Sequence, residues 1–365
     1  MLDFTSAGYL GLSHGTDLLS PWSALTTGVP VALYEPPLLR QLQNQVALLV
    51  DARRALLGNS TLHLFWDLFG QLGSRDMTIF IDNGAYPISR SAAERAQSLG
   101  SRLVNLPHFN AELARRIVSQ NRPRNLVILA DGLCSGCGRL APLADYLDIA
   151  GEWNGIVVAD DTQAIGILGE SPSDSDPFGI GGGGNCARFA GTADNLLNVS
   201  SLAKGFGVPI ATLAGDGDFV REFERHSETR IHCSPPSQAH VAATAHALHI
   251  NRVKGNTLRR HLACLIQHMR DGMSRLGLRL IGGLFPVQTL AFSSRSLASR
   301  THAALQEAGV RTVLRRLRCV GRIGISFVIN ANHSLSDVQH AITAMAHAVA
   351  GRSAYIQEVE HAYSI

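Results

Sequence analysis

The sequence predicts an α/β protein with a mostly parallel central sheet flanked by helices and a smaller C-terminal α+β domain. Two patterns support this prediction. In the first half of the chain, short apolar runs that end in polar or glycine-rich turns alternate with amphipathic segments, as in strands connected by helices. After about residue 222 one long helical stretch precedes several short strands. Hydrophobic residues form 45% of the 365 residues, which is enough to bury a substantial core.

The predicted strands of the central sheet are continuous apolar runs, as expected for parallel strands covered on both faces. They are MTIFIDN (77–83), LVILADG (126–132), GIVVADD (155–161) and NLLNVSS (195–201). Helical segments are predicted between them at residues 92–99, 111–119 and 140–152. Because ligands of such sheets bind beyond the carboxyl ends of the strands, we expect the functional residues there.

The C-terminal part is predicted to contain a helix over 237–278, strands in LRLIGG, QTLAFSS and RIGISFVIN, and a closing helix over 336–349. We therefore expect three regions. Residues 1–45 form an N-terminal segment that packs on the small domain, 46–225 form the large domain with the binding site, and 226–365 form the small domain.

Composition argues against several classes of function. The net charge is +3, charged residues make up 17%, and the basic residues are scattered, whereas nucleic-acid binding needs a concentrated basic surface. The start of the chain does not read as a signal peptide, and no apolar stretch is long enough to span a bilayer. We expect a cytoplasmic protein without nucleic-acid or membrane partners.

Six cysteines in a chain of this length predict reduced thiols rather than a disulfide framework. Cys134 and Cys137 form a CxxC motif, which suits zinc or redox chemistry. No second pair follows at ligand spacing, and a structural zinc ion needs four ligands. We therefore expect no metal, with the two cysteines as small residues in a turn.

A single lysine, Lys204, lies between small polar residues and the apolar run GFGVPIATLAG. These flanks predict burial, and a buried amine tends to lose its proton. A neutral amine is a nucleophile toward carbonyl groups, so Lys204 is suited to form a Schiff base. The carbonyl compound most often bound in this way is pyridoxal 5′-phosphate (PLP).

PLP also needs an anion site for its phosphate and a carboxylate for its ring nitrogen. Ser200 and Ser201 precede the lysine and can donate to phosphate oxygens. Ser60 and Thr61 lie where a helix is predicted to begin, and free amides favour an anion there. Asp160 ends a predicted strand and could pair with the pyridinium nitrogen. The sequence thus contains candidates for each requirement.

Five segments, in order, resemble motifs of the fold-type I PLP-dependent transferases, and specifically of the α-oxoamine synthases. They are DFTSAGYLGLSH (3–14), DGLCSGCGRLAPLADYLDIA (131–150), DDTQAIGILGE (160–170), SSLAKGFG (200–207) and HCSPPSQAHVAA (232–243). The resemblance covers nearly the whole chain. It implies a PLP-dependent acyltransferase that condenses an amino acid with an acyl thioester and releases carbon dioxide.

The resemblance also implies roles for individual residues. Lys204 would bind the cofactor and Asp160 would pair with its ring nitrogen, while Ser135 would approach its phenolic oxygen. Tyr86 falls where the family has a histidine that stacks on the ring, and a phenol can stack as well. Ser234 would reach the phosphate in the neighbouring subunit, which implies a homodimer with shared active sites. Ordinary packing is the alternative for Tyr86 and Ser234.

Three positions depart from the family. Gln163 replaces a histidine that contacts the phenolic oxygen, and an amide cannot take up a proton near neutral pH. Ala7 replaces an asparagine that helps to bind the carboxylate of the amino acid. Arg322 matches the first arginine of an RxR motif, but Gly324 stands where the second arginine would bind that same carboxylate.

A carboxylate in a partly desolvated pocket needs charge-assisted partners. Either another arginine substitutes, with Arg315, Arg316 and Arg318 as candidates, or the amine substrate carries no free α-carboxylate. A carrier-bound aminoacyl thioester would satisfy the second option and would suit a specialised biosynthetic pathway. The three arginines could equally form a solvated face.

Three functions remain open at this point. The first is an α-oxoamine synthase-type acyltransferase that uses a thioester of coenzyme A or of a carrier protein together with an amine substrate. The second is an aminotransferase or decarboxylase on the same scaffold, because a fold does not determine a reaction. The third is a PLP-binding homologue whose catalysis has decayed.

Overall fold

The computed structural model describes residues 1–189, 193–319 and 321–350. Its strands are β1 (Leu2–Asp3), β2 (Arg54–Gly58), β3 (Met77–Asp82), β4 (Arg102–Leu106), β5 (Asn125–Asp131), β6 (Ile156–Asp160), β7 (Leu196–Ser201), β8 (Ala211–Gly215), β9 (Val287–Phe292), β10 (Val310–Arg311), β11 (Val313–Leu317) and β12 (Arg322–Val328). Its helices are α1 (Pro37–Leu49), α2 (Thr61–Leu72), α3 (Pro87–Ser98), α4 (Ala111–Asn121), α5 (Leu143–Gly151), α6 (Gly184–Phe189), α7 (Gly217–His226), α8 (Glu228–His232), α9 (Gln238–Arg275), α10 (Arg295–Glu307) and α11 (Leu335–Val349).

A seven-stranded sheet forms the centre of the molecule, in the order β2-β8-β7-β6-β5-β3-β4. β8 is antiparallel to both of its neighbours, and the other pairs are parallel. Successive residues of its strands face opposite sides. Ile79 packs with α2, α3 and α7, whereas Phe80 packs with α4 and α5. Both faces are therefore covered, which explains the continuous apolar runs.

The C-terminal part forms a three-stranded antiparallel sheet in the order β11-β12-β9. It shares a core with α10, α11 and the second half of α9. The start of the chain belongs to the same core, because β1 pairs with β10 and Phe4 meets Phe327 edge-on with ring centroids 6.0 Å apart. The expected region boundaries near residues 45 and 225 stay predictions.

Most of the predicted elements match the structure, and one does not. The four predicted strands of the large sheet correspond to β3, β5, β6 and β7. LRLIGG was predicted to be a strand, but it forms only an isolated bridge between Ile281 and Thr289. No element was predicted around Arg315 and Arg316, the candidate carboxylate-binding residues, and this segment forms strand β11. Among the described helices, none has both the length and the apolarity needed to cross a bilayer.

Candidate active site

Three neighbouring parallel strands end at one edge of the central sheet. β5 ends at Asp131 and β6 ends at Asp160, and β7 leads into the turn that contains Lys204. Asp131 and Asp160 are register partners, so their carboxyl groups are neighbours. The structure thus brings Asp160 and Lys204 to the same edge, together with Asp131, which the sequence analysis did not single out.

Lys204 is half-buried in this cleft, and its Nζ lies 5.5 Å from the centroid of the Tyr86 ring. The lysine side chain is thus partly buried, and its role in the site stays a prediction. Burial still lowers the pKa of Lys204, while Asp160 and Asp131 act in the opposite direction. The only other lysine of the chain, Lys254, is exposed on α9.

The two carboxyl groups are almost completely buried, at 5% exposure for Asp131 and 6% for Asp160. Burial raises the pKa of both, and the adjacent Asp160 raises that of Asp131 further. The backbone N–H groups of Tyr86 and Thr162 donate to Asp131 Oδ1 (2.9 Å) and Asp160 Oδ1 (3.1 Å). Asp131 shows the same sequence signal as Asp160, an acid at the end of a buried strand.

Gln163 is buried beside the turn that follows β6. Its Oε1 accepts a hydrogen bond of 2.6 Å from the hydroxyl of Tyr9, and the backbone N–H of Tyr9 donates to the carbonyl of Lys204 at 3.0 Å. Tyr9 is 1% exposed, and burial raises the pKa of its phenol. The N-terminal segment therefore positions Gln163 next to the lysine turn. Tyr9 was not among the residues predicted to form the site.

Arg315 extends from β11 toward the loop that follows β5. Its guanidinium donates to the carbonyl of Ser135 at 2.6 Å and its Nε donates to Ser326 Oγ at 2.9 Å. A cavity of about 150 Å³ lies here, lined by Tyr86, Asp131, Ser135 and Arg315 among others. Of the three candidate arginines, Arg315 is half-buried and Arg316 and Arg318 are exposed.

Gly324, the position of the missing second arginine, is the register partner of Arg315 across β11 and β12. Residues directly opposite in an antiparallel pair project from the same face. Arg315 therefore presents its guanidinium from the same side of the small sheet as a residue at 324 would. A Cβ at Gly324 would lie 2.6 Å from Thr289 Cγ2, so this position has no room for a larger side chain without a shift.

The predicted helix start at Ser60 and Thr61 is where α2 begins. Ser60 Oγ accepts from the His63 backbone N–H at 3.3 Å and lies 2.7 Å from His63 Nδ1. β2 is parallel to β7, so the N-terminus of α2 lies at the sheet edge where Lys204 is found. Ser234 is exposed, and its carbonyl accepts from Asn59 Nδ2 at 2.6 Å. The roles of Ser60, Thr61 and Ser234 in phosphate binding stay predictions.

The two serines before the lysine differ in environment. Ser200 is 0% exposed and its hydroxyl donates to Asn198 Oδ1 at 2.7 Å, and its role in phosphate binding stays a prediction. Strand alternation turns this side chain into the core. Ser201 is half-buried, and its Oγ accepts from the Ala203 N–H at 3.3 Å. Ser201 remains the better candidate.

The residues present fit PLP. They provide a half-buried amine, buried carboxyl groups at adjacent strand ends, an aromatic ring near the amine and a capped helix N-terminus at the same edge. This arrangement, on a mostly parallel sheet with a small antiparallel sheet beside it, defines a fold-type I PLP-dependent transferase. The chain belongs to the aminotransferase class I and II family, whose model matches residues 24–345.

Curated relatives narrow this class. The 8-amino-7-oxononanoate synthase of Pseudomonas putida (strain GB-1) is 26% identical over 363 residues, which cover 95% of this chain and 87% of the relative. The enzyme of that name from Herminiimonas arsenicoxydans is 26% identical over 358 residues, with 94% and 89% covered. These matches confirm the resemblance to the α-oxoamine synthases.

Solved structures show the same fold. Sphingomonas wittichii serine palmitoyltransferase has a TM-score of 0.81 at 15% identity, covering 94% of this chain and 86% of that chain. The 8-amino-7-oxononanoate synthase from Francisella tularensis has a TM-score of 0.74 at 17% identity, covering 96% and 98%. A structure of SPT that contains PLP has a TM-score of 0.80 at 14% identity, covering 94% and 86%. The predicted fold class is confirmed.

Proposed function

We propose that this chain is a PLP-dependent acyltransferase of the α-oxoamine synthase type, which joins an amine substrate to an acyl group supplied as a thioester. The observation that carries the proposal is that Asp160 and Arg315 are both close enough to Lys204 to shift its pKa, in a chain that aligns over 95% of its length with an 8-amino-7-oxononanoate synthase. The thioester is one of coenzyme A or of a carrier protein.

PLP supplies an aldehyde that links covalently to amines and a ring that delocalises the electron pair left at a substrate α-carbon. Lys204 is the residue proposed to bind it, and Nζ would afterwards move protons to and from the α-carbon. Burial favours the neutral form of this amine, as the direction of its pKa shift requires. Asp160 would hold the ring nitrogen, because a cation brought against a buried carboxylate favours its ionised form.

Arg315 is proposed to bind the carboxylate of the amino-acid substrate. A guanidinium has five N–H donors, and among the described residues Arg315 uses two of them, one to Ser135 and one to Ser326. The others can face a carboxylate as a fork, which is the geometry that arginine recognises best. We therefore favour a substituting arginine over an amine substrate without a carboxylate.

Gln163 is proposed to form a hydrogen bond without proton transfer, in place of the histidine that the family has at this position. Its carbonyl oxygen is already used by Tyr9, so the amide N–H₂ group is what it can offer to an acceptor such as a phenolic oxygen. Since an amide does not titrate near neutral pH, proton transfer would rest with Lys204. Ser135 and Tyr86 would contact the cofactor from the other side of the cleft.

A homodimer with shared active sites and a cytoplasmic location are also part of the proposal. Ser234 would contact the phosphate bound by the partner subunit, and Ser60, Thr61 and Ser201 would contact the phosphate within the chain. The family resemblance supports these phosphate contacts. For Ser60 and Thr61, further support is that the N-terminus of α2 lies at the sheet edge where Lys204 is found.

The test uses the fact that the chain has two lysines, Lys204 in the cleft and Lys254 on the surface. The purified holoenzyme should show the visible absorbance band of lysine-bound PLP, and borohydride reduction followed by peptide mass mapping should locate the label on Lys204. Lys204→Ala should lose the band and the activity, whereas the matched control Lys254→Ala should keep both. Label on Lys254 alone would refute the proposed site.

An aminotransferase is the second candidate, favoured by the name of the matching family model. The two reactions separate in one experiment, in which an amino donor is added without an acyl thioester. Accumulation of the amino form of the cofactor would favour the aminotransferase. Carbon dioxide release that depends on both an amino acid and an acyl thioester would favour the acyltransferase. Holoenzyme that performs neither reaction with a broad substrate panel would favour the decayed homologue.

A further inference from the structure

One imidazole and three thiols meet beside the cavity that contains Arg315. The ligand atoms of His108, Cys134, Cys137 and Cys319 all lie within 4.8 Å of one another, and His108 Nε2 is 3.4 Å from Cys137 Sγ. Half of the six cysteines of the chain are thus gathered in one place. The four residues come from three separate loops, so chain proximity explains only the Cys134–Cys137 pair.

This cluster, which we call the Cys₃His cluster, has the donor set of a structural zinc site. Tetrahedral zinc with bonds of about 2.3 Å to sulfur and about 2.0 Å to nitrogen separates its ligands by about 3.5–3.8 Å. The spacing of the cluster is at most 4.8 Å, so small side-chain movements bring all four atoms to bonding distance. No metal was expected from the sequence because no second ligand pair follows the CxxC motif. In the structure, His108 and Cys319 provide that second pair.

Asp82 supports this interpretation from the far side of the imidazole. His108 Nδ1 lies 2.7 Å from Asp82 Oδ1, and Asp82 is 0% exposed at the end of β3. The second oxygen of Asp82 accepts the Phe109 backbone N–H at 2.8 Å. A hydrogen bond from Nδ1–H to a carboxylate leaves the lone pair of Nε2 directed at the thiols, which is the arrangement that metal-bound histidines commonly have.

We propose that His108, Cys134, Cys137 and Cys319 bind one Zn²⁺ ion in a closed tetrahedral site. The three thiols lose their protons on binding, and the imidazole binds as the neutral ligand. Four protein ligands leave no open position, so the ion has a structural role. Neither the choice of metal nor its binding depends on the reaction that the neighbouring cleft performs.

The position of the site indicates what the metal stabilises. Cys134 and Cys137 enclose Ser135 in the loop after β5, and Cys319 follows β11, which carries Arg315. The Arg315–Ser135 hydrogen bond joins the same two segments at 2.6 Å. Zinc would therefore hold the small-sheet strand with the arginine against the large-sheet loop with the serine. If the function proposed above is correct, the ion fixes the distance between the substrate arginine and the cofactor.

Metal content of the full-length protein tests the proposal. Protein purified without chelators and without a histidine tag should contain one zinc ion per chain, as measured by elemental mass spectrometry. Cys319→Ser should lose most of this zinc, whereas the matched control Cys264→Ser, at an exposed cysteine outside the cluster, should keep it. Equal zinc content in both variants would overturn the proposal.

A second measurement does not depend on the folding of a variant. Wild-type protein stripped of metal and reconstituted with Co²⁺ should show the intense visible bands of tetrahedral cobalt bound to thiolates, and added Zn²⁺ should displace them. Loss of metal should leave PLP binding at Lys204 detectable, which separates this proposal from the proposed function. Stripped protein that gives no such bands after Co²⁺ is added, or an isolated Cys134–Cys137 disulfide in peptide mapping, would overturn it.

Discussion

Replacing Arg315 by glutamine should abolish the preference of this protein for amines that carry a carboxylate. The guanidinium has three N–H groups beyond those used by Ser135 and Ser326 among the described residues, and two of them can form a bidentate pair with a carboxylate. Glutamine removes the charge and the fork. We therefore expect the effect on substrate binding and not on the linkage of PLP to Lys204.

The magnitude follows from the position of the side chain. Hydrogen bonds to a charged group contribute about 1.5–3 kcal/mol each in buried sites, but Arg315 is only half-buried, so the pair is expected to contribute about 2–3 kcal/mol in total. This corresponds to a loss of about 30- to 150-fold in kcat/KM. Arg315→Lys keeps the charge but loses the fork, so its kcat/KM should fall between those of wild type and Arg315→Gln.

The assay is a titration of the holoenzyme with amino acids and with their amides, followed by the visible absorbance of the cofactor. Wild type should bind each amino acid more tightly than its amide, and Arg315→Gln should bind the two equally. Arg300→Gln, at an exposed arginine on α10 that bonds only Ser296 among the described residues, is the charge-matched control. If wild type binds amides as well as acids, the carboxylate argument is wrong and a substrate without a free carboxylate is favoured.

Two further predictions concern stability. Asp161 is buried with Oδ1 lacking a partner among the described residues, and burial raises its pKa from 3.8 to about 7. Since the folded state favours the protonated form, the contribution of this group to stability is fully present below pH 3.8 and is lost as the pH rises through about 7. Asp161→Asn should therefore raise the melting temperature more at pH 8 than at pH 5, and an equal shift at both would contradict this. Arg259 is 2% exposed and donates to the Gly166 carbonyl at 2.9 Å, so Arg259→Met should cost about 1–3 kcal/mol in urea unfolding, because the carbonyl is left unpaired. The control Arg260→Met, at a surface ion pair, should cost less than about 1 kcal/mol, and a similar loss in both variants would contradict the assignment.

The large sheet could be predicted from the sequence because its strands are buried on both faces. Residues 126–132 and 155–161 are apolar until their last positions, and the acids at their ends lie where the topology places a ligand. The same reasoning applied to Asp131 would have found the second buried carboxylate. These signals are local in sequence, so they can be recognised in a single amino-acid sequence.

Strand β11 could not be predicted in this way, because its hydropathy pattern is inverted at two neighbouring positions. Leu314 is 37% exposed, whereas Arg315 is half-buried, so hydropathy assigns these two residues to the wrong sides of the strand. Of the two residues that bind the buried guanidinium, Ser326 lies on the neighbouring strand and Ser135 is 180 residues away in sequence. The Cys₃His cluster escaped prediction for the same reason, since His108 and Cys319 come from loops distant from the CxxC motif.

Helix α9 runs for 38 residues, which is about 57 Å at 1.5 Å per residue. Its first half packs with α1 in one core through Val241 and Ala247, and its second half packs with α11 in another through Ile266 and Met273. If either half of the protein were expressed alone, the apolar residues of one half of α9 would be exposed to solvent. The two cores should therefore melt together in a single calorimetric transition, and any opening of the cleft must bend or slide along a continuous helix rather than turn about a flexible joint.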